Sequence, residues 1–185
     1  MNILLDVDDC LLDWIGGFKK YVLSKKFSVR SEQPLNWNLE KWVDSSHVDS
    51  LVSSFNTSVE FGELEAIPDS IEVIRKLFKK KFSIVAITCC GDSLETNLAR
   101  QRNLFNRFGP VFTKVHCLGL KESKQPTLEK YDRSWWIEDK PANAVMGSRA
   151  GHSAILLDRP HNQGADHIGV TRCHNWSEIA KLILV

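Results

Sequence analysis

Length, composition and charge restrict the chain to a few classes of protein. At 185 residues it can bury one sizeable core with room for a small subdomain. Its formal net charge of +1 argues against a protein that coats nucleic acid or binds membranes through a polybasic surface. No apolar run reaches the roughly 18 residues that would cross a bilayer. The five cysteines lack the C-x-x-C spacing of a zinc site, which predicts reduced thiols and a cytoplasmic location.

The first element is a short apolar run, residues 2–5, that leads directly into Asp6, Asp8 and Asp9. Such a run is typical of a buried strand of a parallel sheet. Burying three carboxylates is costly unless a cation or strong hydrogen-bond donors lie among them. The pattern therefore favours a metal site at the carboxyl end of a central parallel strand, where open α/β sheets bind their ligands. A solvated acidic turn is the alternative interpretation.

A helical cap is predicted after this strand. Asp13 is a candidate N-cap for a helix over residues 14–26, whose apolar positions follow a helical spacing. Residues 27–61 are polar with scattered aromatics and show no strand pattern. We therefore expect residues 15–67 to form a small helical cap inserted into a core domain made of residues 1–14 and 68–185.

The remaining chain alternates between helix and strand patterns. Strands are predicted at 82–87, 115–118, 134–137, 153–157 and near 170, and helices at 70–80, 92–108, 142–149 and 176–184. This alternation predicts an α/β fold, a Rossmann-like parallel sheet with helices on both faces.

Functional groups follow the predicted strands. Thr88 ends the second strand, Glu138 and Asp139 end the fourth, and lysines lie between them at 121 and 124. Because the carboxyl ends of parallel strands share one edge of the sheet, these groups are expected to meet Asp6 and Asp8 there. Each signal alone is weak, whereas their occurrence in this order is a strong one.

This order of motifs resembles that of the haloacid dehalogenase superfamily of phosphohydrolases. The segment Asp6-Val7-Asp8-Asp9-Cys10-Leu11 matches its D-x-D-x-[TV]-L opening, with Cys10 in place of threonine or valine. Thr88 falls on the second motif and Glu138-Asp139 on the acidic fourth motif. Lys124, which precedes an apolar helical turn, is our choice for the third-motif lysine, and Lys121 is the alternative.

Within that superfamily the chain resembles the 5'(3')-deoxyribonucleotidases over nearly its whole length. The similar segments are Asp13-Trp14, residues 61–68, Phe108-Gly109-Pro110, residues 157–162 and Asn175-Trp176. Three positions depart from the family pattern: Glu138 replaces an aspartate, Cys89 replaces a serine that helps hold phosphate, and Asp69 replaces a glycine.

The resemblance implies a Mg²⁺-dependent nucleotidase acting on (deoxy)ribonucleoside monophosphates. Asp6 would attack phosphorus to form an aspartyl-phosphate, and Asp8 would serve first as acid and then as base. Thr88, Lys124 and the amide of Cys89 would hold the phosphate. The metal ligands would be Asp6, the backbone carbonyl of Asp8 and Asp139, with Glu138 acting through water or a neighbouring ligand.

The substrate pocket is expected in the cap, where aromatic side chains could stack on a base. By resemblance Trp14, Trp42 (or Trp37) and Phe61 lie near it, although simple core packing would also explain these aromatics. A thiol nucleophile at Cys89 or Cys90 is disfavoured because no histidine is near in sequence. The six histidines lack metal-ligand spacing and are predicted in loops or on the surface.

Two other functions compete with this hypothesis. One is a phosphatase for a sugar phosphate or a polynucleotide 3' end, slightly favoured by the basic residues between 75 and 107. The other is a non-catalytic nucleotide-binding module, which the joint presence of the motif residues opposes. We expect a small-molecule partner and no stable nucleic-acid or membrane complex, and the sequence leaves a homodimer open.

Overall fold

A computed structural model describes residues 2–184. Within them, six parallel strands form one sheet in the order β3-β2-β1-β4-β5-β6. The strands are β1 Asn2–Leu5, β2 Ser83–Thr88, β3 Phe112–Cys117, β4 Trp135–Glu138, β5 Ser153–Leu157 and β6 Val170–Cys173. The first strand of the chain is thus central, and the predicted α/β fold is confirmed.

Helices cover both faces of this sheet. They are α1 Trp14–Ser24, α2 Val48–Asn56, α3 Ser70–Lys79, α4 Leu94–Phe108, α5 Gln125–Leu128, α6 Pro141–Arg149 and α7 Trp176–Ile183. Successive side chains of a strand point to opposite faces, so Ile3 and Leu5 join the apolar cluster that includes α3 and α7, while Leu4 joins the one that includes α5. Among the described residues, no helix is both long enough and apolar enough to cross a membrane.

On the face of the sheet that carries Leu4, α6 packs closely against β4. A Cβ added to Gly147 would lie 2.1 Å from Cδ1 of Trp136. Only glycine allows this approach, which brings α6 onto the strand that ends in Glu138 and Asp139.

The third strand begins earlier than the sequence suggests, at Phe112 rather than near Val115. Its first half contains the exposed Thr113 and Lys114, because β3 is one of the two edge strands, and its pairing with β2 shifts register at Ile84/Val85. Such a strand lacks the continuous apolar run by which the central strands are recognised.

A helical insert follows β1, as predicted. It contains α1, α2 and two short 3₁₀ turns, Leu39–Lys41 and Glu60–Glu63, and Asp13 caps α1 by accepting a hydrogen bond from Gly16 N at 2.9 Å. Its aromatic interior belongs to the same apolar cluster as Ile3 and Leu5 of β1. A separate cap domain over residues 15–67 stays a prediction.

Candidate active site

Asp6 lies immediately after β1. Its backbone N–H donates to the carbonyl of Ile137 at 2.9 Å, which anchors it to the neighbouring strand β4. Its Oδ1 accepts from the backbone N–H of Val7 and lies 2.7 Å from Nζ of Lys124. The pKa of Asp6 is raised to about 8, chiefly by burial and then by the nearby Glu138 carboxylate, while Lys124 opposes the rise. Asp6 is therefore a carboxylate whose ionisation depends on nearby positive charge.

Lys124 supplies positive charge next to Asp6. It precedes α5, is only 2% exposed, and its Nζ also lies 2.8 Å from Oε2 of Glu138. Burial opposes its charge, but Asp6 and Glu138 hold the pKa of Lys124 above the ordinary value, so the ammonium persists. Lys121, the alternative, is exposed and pairs with Asp49 at 2.9 Å. The structure thus brings Lys124, and not Lys121, to Asp6.

Asp8 is fixed in a tight turn after β1. The following residue, Asp9, has φ +54°, a left-handed conformation that aspartate tolerates better than most residues. Oδ2 of Asp8 accepts from the hydroxyl of the buried Thr88 at 3.1 Å, and Oδ1 forms an ion pair with Arg100. Burial raises the pKa of Asp8, while the Arg100 guanidinium opposes that rise.

Asp139 follows β4 and is held by residues that come after β5. Its Oδ2 lies 2.6 Å from Nε2 of His161, and its backbone carbonyl accepts from Asn162 Nδ2 at 2.7 Å. Its Oδ1 is 3.9 Å from Sγ of Cys10. Ligand-type atoms of Asp6, Cys10 and Asp139 all lie within 4.8 Å of one another.

The charges and donor atoms of this edge suit a hard divalent cation. Asp6, Glu138 and Asp139 are buried carboxylates, and Lys124 is the buried lysine among them. Crowded carboxylates in a dry site need further positive charge, and carboxylate oxygens are the ligands that Mg²⁺ prefers.

A cavity of about 420 Å³ opens over these groups. Its lining includes Asp6, Asp8, Cys89, Lys124, Glu138 and Asp139 together with apolar side chains of the helical insert, Trp14, Trp37, Leu39 and Val52. The indole of Trp14 donates to Oδ1 of Asn56 at 2.9 Å, and Nδ2 of Asn56 donates to the carbonyl of Cys90 at 2.9 Å. Asn56 thereby ties the insert to the loop after β2.

Two of the predicted pocket aromatics do not line this cavity. Trp42 is 2% exposed, packs against Phe18 and donates its indole N–H to the carbonyl of Ser31. Phe61 is fully buried beneath the guanidinium of Arg100, at 4.1 Å. Both belong to the interior of the insert, because a small helical unit needs large aromatics to fill its core. Trp37, the alternative, lines the cavity with Trp14.

Two of the histidines predicted in loops or on the surface lie in connecting segments but are buried, and the prediction is wrong for a third, His116, which lies within β3. His161 is 7% exposed and contacts Asp139, and His152 is 5% exposed. Nδ1 of His152 accepts from Ser134 N, so its Nε2 carries the proton and faces the carbonyl of Leu128. Local spacing carried no signal for either residue, since their partners are distant in sequence.

Arg100 is the other site residue that the sequence did not reveal. It lies within α4 among several basic residues, and nothing in the pattern distinguishes it from a solvated arginine. Cys89, in contrast, was among the predicted site residues, and it lines the cavity. Burial raises the pKa of its thiol to about 11, and Sγ lies 3.4 Å from the carbonyl of Glu122.

The sheet order, the insert after β1 and the acidic strand ends define a hydrolase fold of the haloacid dehalogenase type. Over 98% of this chain and 97% of the other, the structure matches a haloacid dehalogenase-like hydrolase from Streptococcus pneumoniae with a TM-score of 0.69 at 13% identity. D,D-heptose 1,7-bisphosphate phosphatase from B. bronchiseptica, solved with magnesium and phosphate, matches with a TM-score of 0.59 at 16% identity, over 100% and 98% of the two chains.

Sequence comparison identifies the family. Residues 1–185 match the model for "5' nucleotidase, deoxy (Pyrimidine), cytosolic type C protein", and the chain belongs to this family of phosphoric monoester hydrolases. A nucleotidase of Clostridium acetobutylicum is 22% identical over 193 residues, 99% of this chain and 93% of that protein. An uncharacterised 32.4 kDa protein of Enterobacteria phage T4 is 29% identical over 197 residues, 96% of this chain and 68% of that protein.

Proposed function

We propose that this nucleotidase-family enzyme hydrolyses nucleoside 5'-monophosphates, with Mg²⁺, through a phosphoryl group carried on Asp6. The observation that supports this most directly is the mixed lining of the cavity. Carboxylates and Lys124, which suit a metal-bound phosphate, line it together with Trp14 and Trp37, which supply flat apolar surface. A phosphate attached to a planar base matches both kinds of surface.

Asp6 is the proposed nucleophile. Its carboxylate attacks phosphorus in line, forming an Asp6–phosphate bond as the bond to the nucleoside oxygen breaks. Lys124, 2.7 Å from Asp6, neutralises negative charge on the phosphate oxygens as the reaction proceeds. Asp6, Asp139 and the backbone carbonyl of Asp8 would hold Mg²⁺, which when bound neutralises and orients the phosphate.

Asp8 is the proposed proton carrier. In its protonated form it gives its proton to the departing nucleoside oxygen, and it then takes a proton from the water that releases phosphate from Asp6. Burial favours the protonated form, whereas Arg100 favours the ionised one. The Thr88 hydroxyl, 3.1 Å from Oδ2, and Arg100 on Oδ1 together orient this carboxyl.

The cytoplasm is the proposed location. The five cysteines are free thiols, as expected in a reducing compartment, and the matched family is described as cytosolic.

The test is phosphate release from a panel of nucleoside 5'-monophosphates, sugar phosphates and 3'-phosphorylated oligonucleotides, with Mg²⁺ or with EDTA. We expect nucleotides to be the best substrates, EDTA to abolish release, and Asp6→Asn to reduce it by about 10³-fold or more, as expected for loss of a nucleophile. Thr113→Ala, on the exposed edge strand, is the control for handling and folding. Tight nucleotide binding without turnover would contradict the proposal, as would full activity of Asp6→Asn.

A further inference from the structure

Asn56 is a buried polar residue that ends α2 and lines the cavity. It is 3% exposed, and its side-chain amide is engaged at both ends. Oδ1 accepts from the indole N–H of Trp14, and Nδ2 donates to the backbone carbonyl of Cys90, each at 2.9 Å. Trp14 begins the first helix of the insert, and Cys90 belongs to the loop of residues 89–93 that joins β2 to α4. One short side chain therefore connects the insert directly to this loop.

The two contacts of the Asn56 side chain require an amide group. An indole N–H can only donate and a backbone carbonyl can only accept, so the side chain between them must offer one acceptor and one donor. The same requirement fixes which end of the amide faces each partner. Leucine, of similar size, offers neither group and would leave the buried indole and carbonyl without these hydrogen bonds. The link thus depends on the chemistry of Asn56 and not only on its shape.

The backbone of Asn56 reaches the other end of the same loop. Its carbonyl accepts from the hydroxyl of Thr96 at 3.2 Å. Thr96 is 2% exposed and lies in the first turn of α4, where its backbone N–H donates to Oγ of Ser93, the last residue of the loop, at 3.1 Å. Asn56 therefore contacts the loop near its start, at Cys90, and also the helix into which the loop leads.

The two surfaces that Asn56 joins each have anchors of their own. The ring of Trp14 stacks on Phe18 with centroids 4.8 Å apart, and it meets Phe55 edge-on at 5.6 Å. The loop is tied to the chain beyond β3, because the backbone N–H of Gly91 donates to the carbonyl of Leu118 at 2.9 Å. Each surface is therefore held within its own part of the fold, and the contribution of Asn56 is their position relative to each other.

We propose that Asn56 is a positioning residue that holds Trp14 and the loop of residues 89–93 at one spacing, and that the preference for a phosphate carried on a planar base depends on it. The inference rests on the proposed nucleotide substrate. A nucleotide contacts both surfaces at once, Trp14 through its base and the amide of Cys89 through its phosphate, so its reaction depends on their spacing. A phosphate ester without a base contacts only the second surface and is insensitive to the spacing.

The test compares kcat/KM for the best nucleoside 5'-monophosphate with kcat/KM for ribose 5-phosphate, which has no base. We expect Asn56→Leu to lower the ratio of the two by about tenfold or more, because misplacing a group that orients substrate is costly. Asn97→Leu is the matched control. Nδ2 of Asn97 donates to the carbonyl of Ser93 at 2.8 Å, so it contacts the same loop from α4 rather than from the insert, and its substitution should leave the ratio unchanged.

A double-variant cycle tests whether Asn56 acts through Trp14. Trp14→Phe removes the indole N–H and keeps an aromatic ring, so it breaks one contact of Asn56 and should also lower the ratio. This loss should be smaller in the Asn56→Leu background, where the contact is already absent. An equal loss in both backgrounds would overturn the inference. Circular dichroism reports whether each variant is folded, and if Asn56→Leu is not, an unchanged ratio in Trp14→Phe overturns the inference.

The outcomes distinguish this inference from the proposed function. If the native chain hydrolyses ribose 5-phosphate as well as any nucleotide, the proposed function fails and the inference fails with it. If the native chain prefers nucleotides and Asn56→Leu keeps that preference, only the inference fails. A parallel loss on both substrates would show that Asn56 supports the fold alone, and would overturn the inference in the same way.

Discussion

The guanidinium of Arg100 lies between the carboxylate of Asp8 and the ring of Phe61. Its Nη2 pairs with Oδ1 of Asp8, and its central carbon is 4.1 Å from the Phe61 ring centroid. The side chain is fully buried. One residue of α4 therefore contacts both the turn that carries the proposed proton carrier and the interior of the helical insert.

Removing the Arg100 charge should reduce both stability and turnover. Arg100→Met leaves the Asp8 carboxylate without its partner, so we expect unfolding free energy to fall by about 3 kcal/mol and kcat to fall by about tenfold or more as Asp8 loses its orientation. Chemical denaturation and steady-state kinetics measure the two effects. Arg107→Met is the matched control on the same helix, because Arg107 contacts Leu64 and Glu65 rather than Asp8. If Arg100→Met leaves kcat unchanged, Arg100 does not orient Asp8 for catalysis.

The two candidate lysines provide a paired test of phosphate stabilisation. Lys124→Met should lower kcat/KM by about 10²- to 10³-fold, because it removes the fixed cation beside the attacking carboxylate. Lys121→Met should change it less than about threefold, since an exposed ion pair such as Lys121 with Asp49 contributes little. The reverse ranking would assign the phosphate to Lys121.

Substitution of Trp37 and of Trp42 should distinguish a residue that contacts substrate from one that fills the core. Trp37→Ala should raise KM for nucleotides severalfold with little change in stability, since Trp37 lines the cavity and is only partly buried. Trp42→Ala should instead lower unfolding free energy by about 3 to 5 kcal/mol, the usual cost of removing a buried large aromatic. Michaelis constants and denaturant midpoints, measured on both variants, reveal the difference. If Trp42→Ala is as stable as the native chain but has an increased KM, Trp42 contacts the substrate rather than filling the core.

The buried carboxyls predict how stability depends on pH and on Mg²⁺. Burial raises the pKa of Asp6 to about 8 and also raises those of Asp8 and Glu138 above their unfolded values. The folded state thus binds more protons than the unfolded state, so these groups contribute stability at low pH that is lost as pH rises toward 8. In EDTA, the Tm of the chain should therefore decrease as the pH is raised from about 5 to about 8, because these carboxyls lose their protons over that range.

Magnesium should offset that loss. The ion binds the ionised carboxylates of the folded chain. The increase in Tm on adding Mg²⁺ should therefore be larger at about pH 8, where these carboxyls are more fully ionised, than at about pH 5.5. Differential scanning calorimetry of the native chain and of Asp6→Asn measures both effects. An increase that is the same at both pH values, or the same in Asp6→Asn, would count against a metal at these carboxylates.

His161, which contacts Asp139, should affect the affinity for Mg²⁺ rather than kcat. His161→Ala removes the partner 2.6 Å from Oδ2 of Asp139, and loss of a residue that orients a ligand typically weakens metal binding by about 10- to 100-fold. Isothermal titration with Mg²⁺ measures the effect, and kcat at saturating Mg²⁺ should recover. His167→Ala, at an exposed position, is the control. An unchanged Mg²⁺ affinity would show that the contact with His161 does not matter to the metal.

Much of the fold and part of the site follow from local sequence. Apolar runs that end in Asp6, Thr88 and Glu138 marked the central strands and the edge where they converge, because parallel strands bring distant residues together in a regular way. The edge strand β3 was less visible, since its outward residues are polar. A regular sheet thus makes long-range proximity predictable at its strand ends.

The contacts made by irregular segments and helix interiors were not predictable in this way. His161 reaches Asp139 from a short turn after β5, and Arg100 reaches Asp8 from the middle of α4. Neither spacing nor propensity distinguishes a buried basic residue from a solvated one when its partner is far away in sequence. Trp37 and Trp42 posed the same difficulty, because aromatic residues suit both a pocket and a core.

The unbroken apolar cluster that joins β1 to the aromatic interior of the helical insert limits how the cavity can open. Swinging the whole insert away from the sheet would expose Leu11, Trp14 and Phe18 to water, at a cost of several kcal/mol. Any wider opening of the cavity is therefore expected through smaller movements of partly buried lining residues such as Trp37. The same shared core couples the two layers on heating, so the chain should melt in one cooperative transition rather than piece by piece.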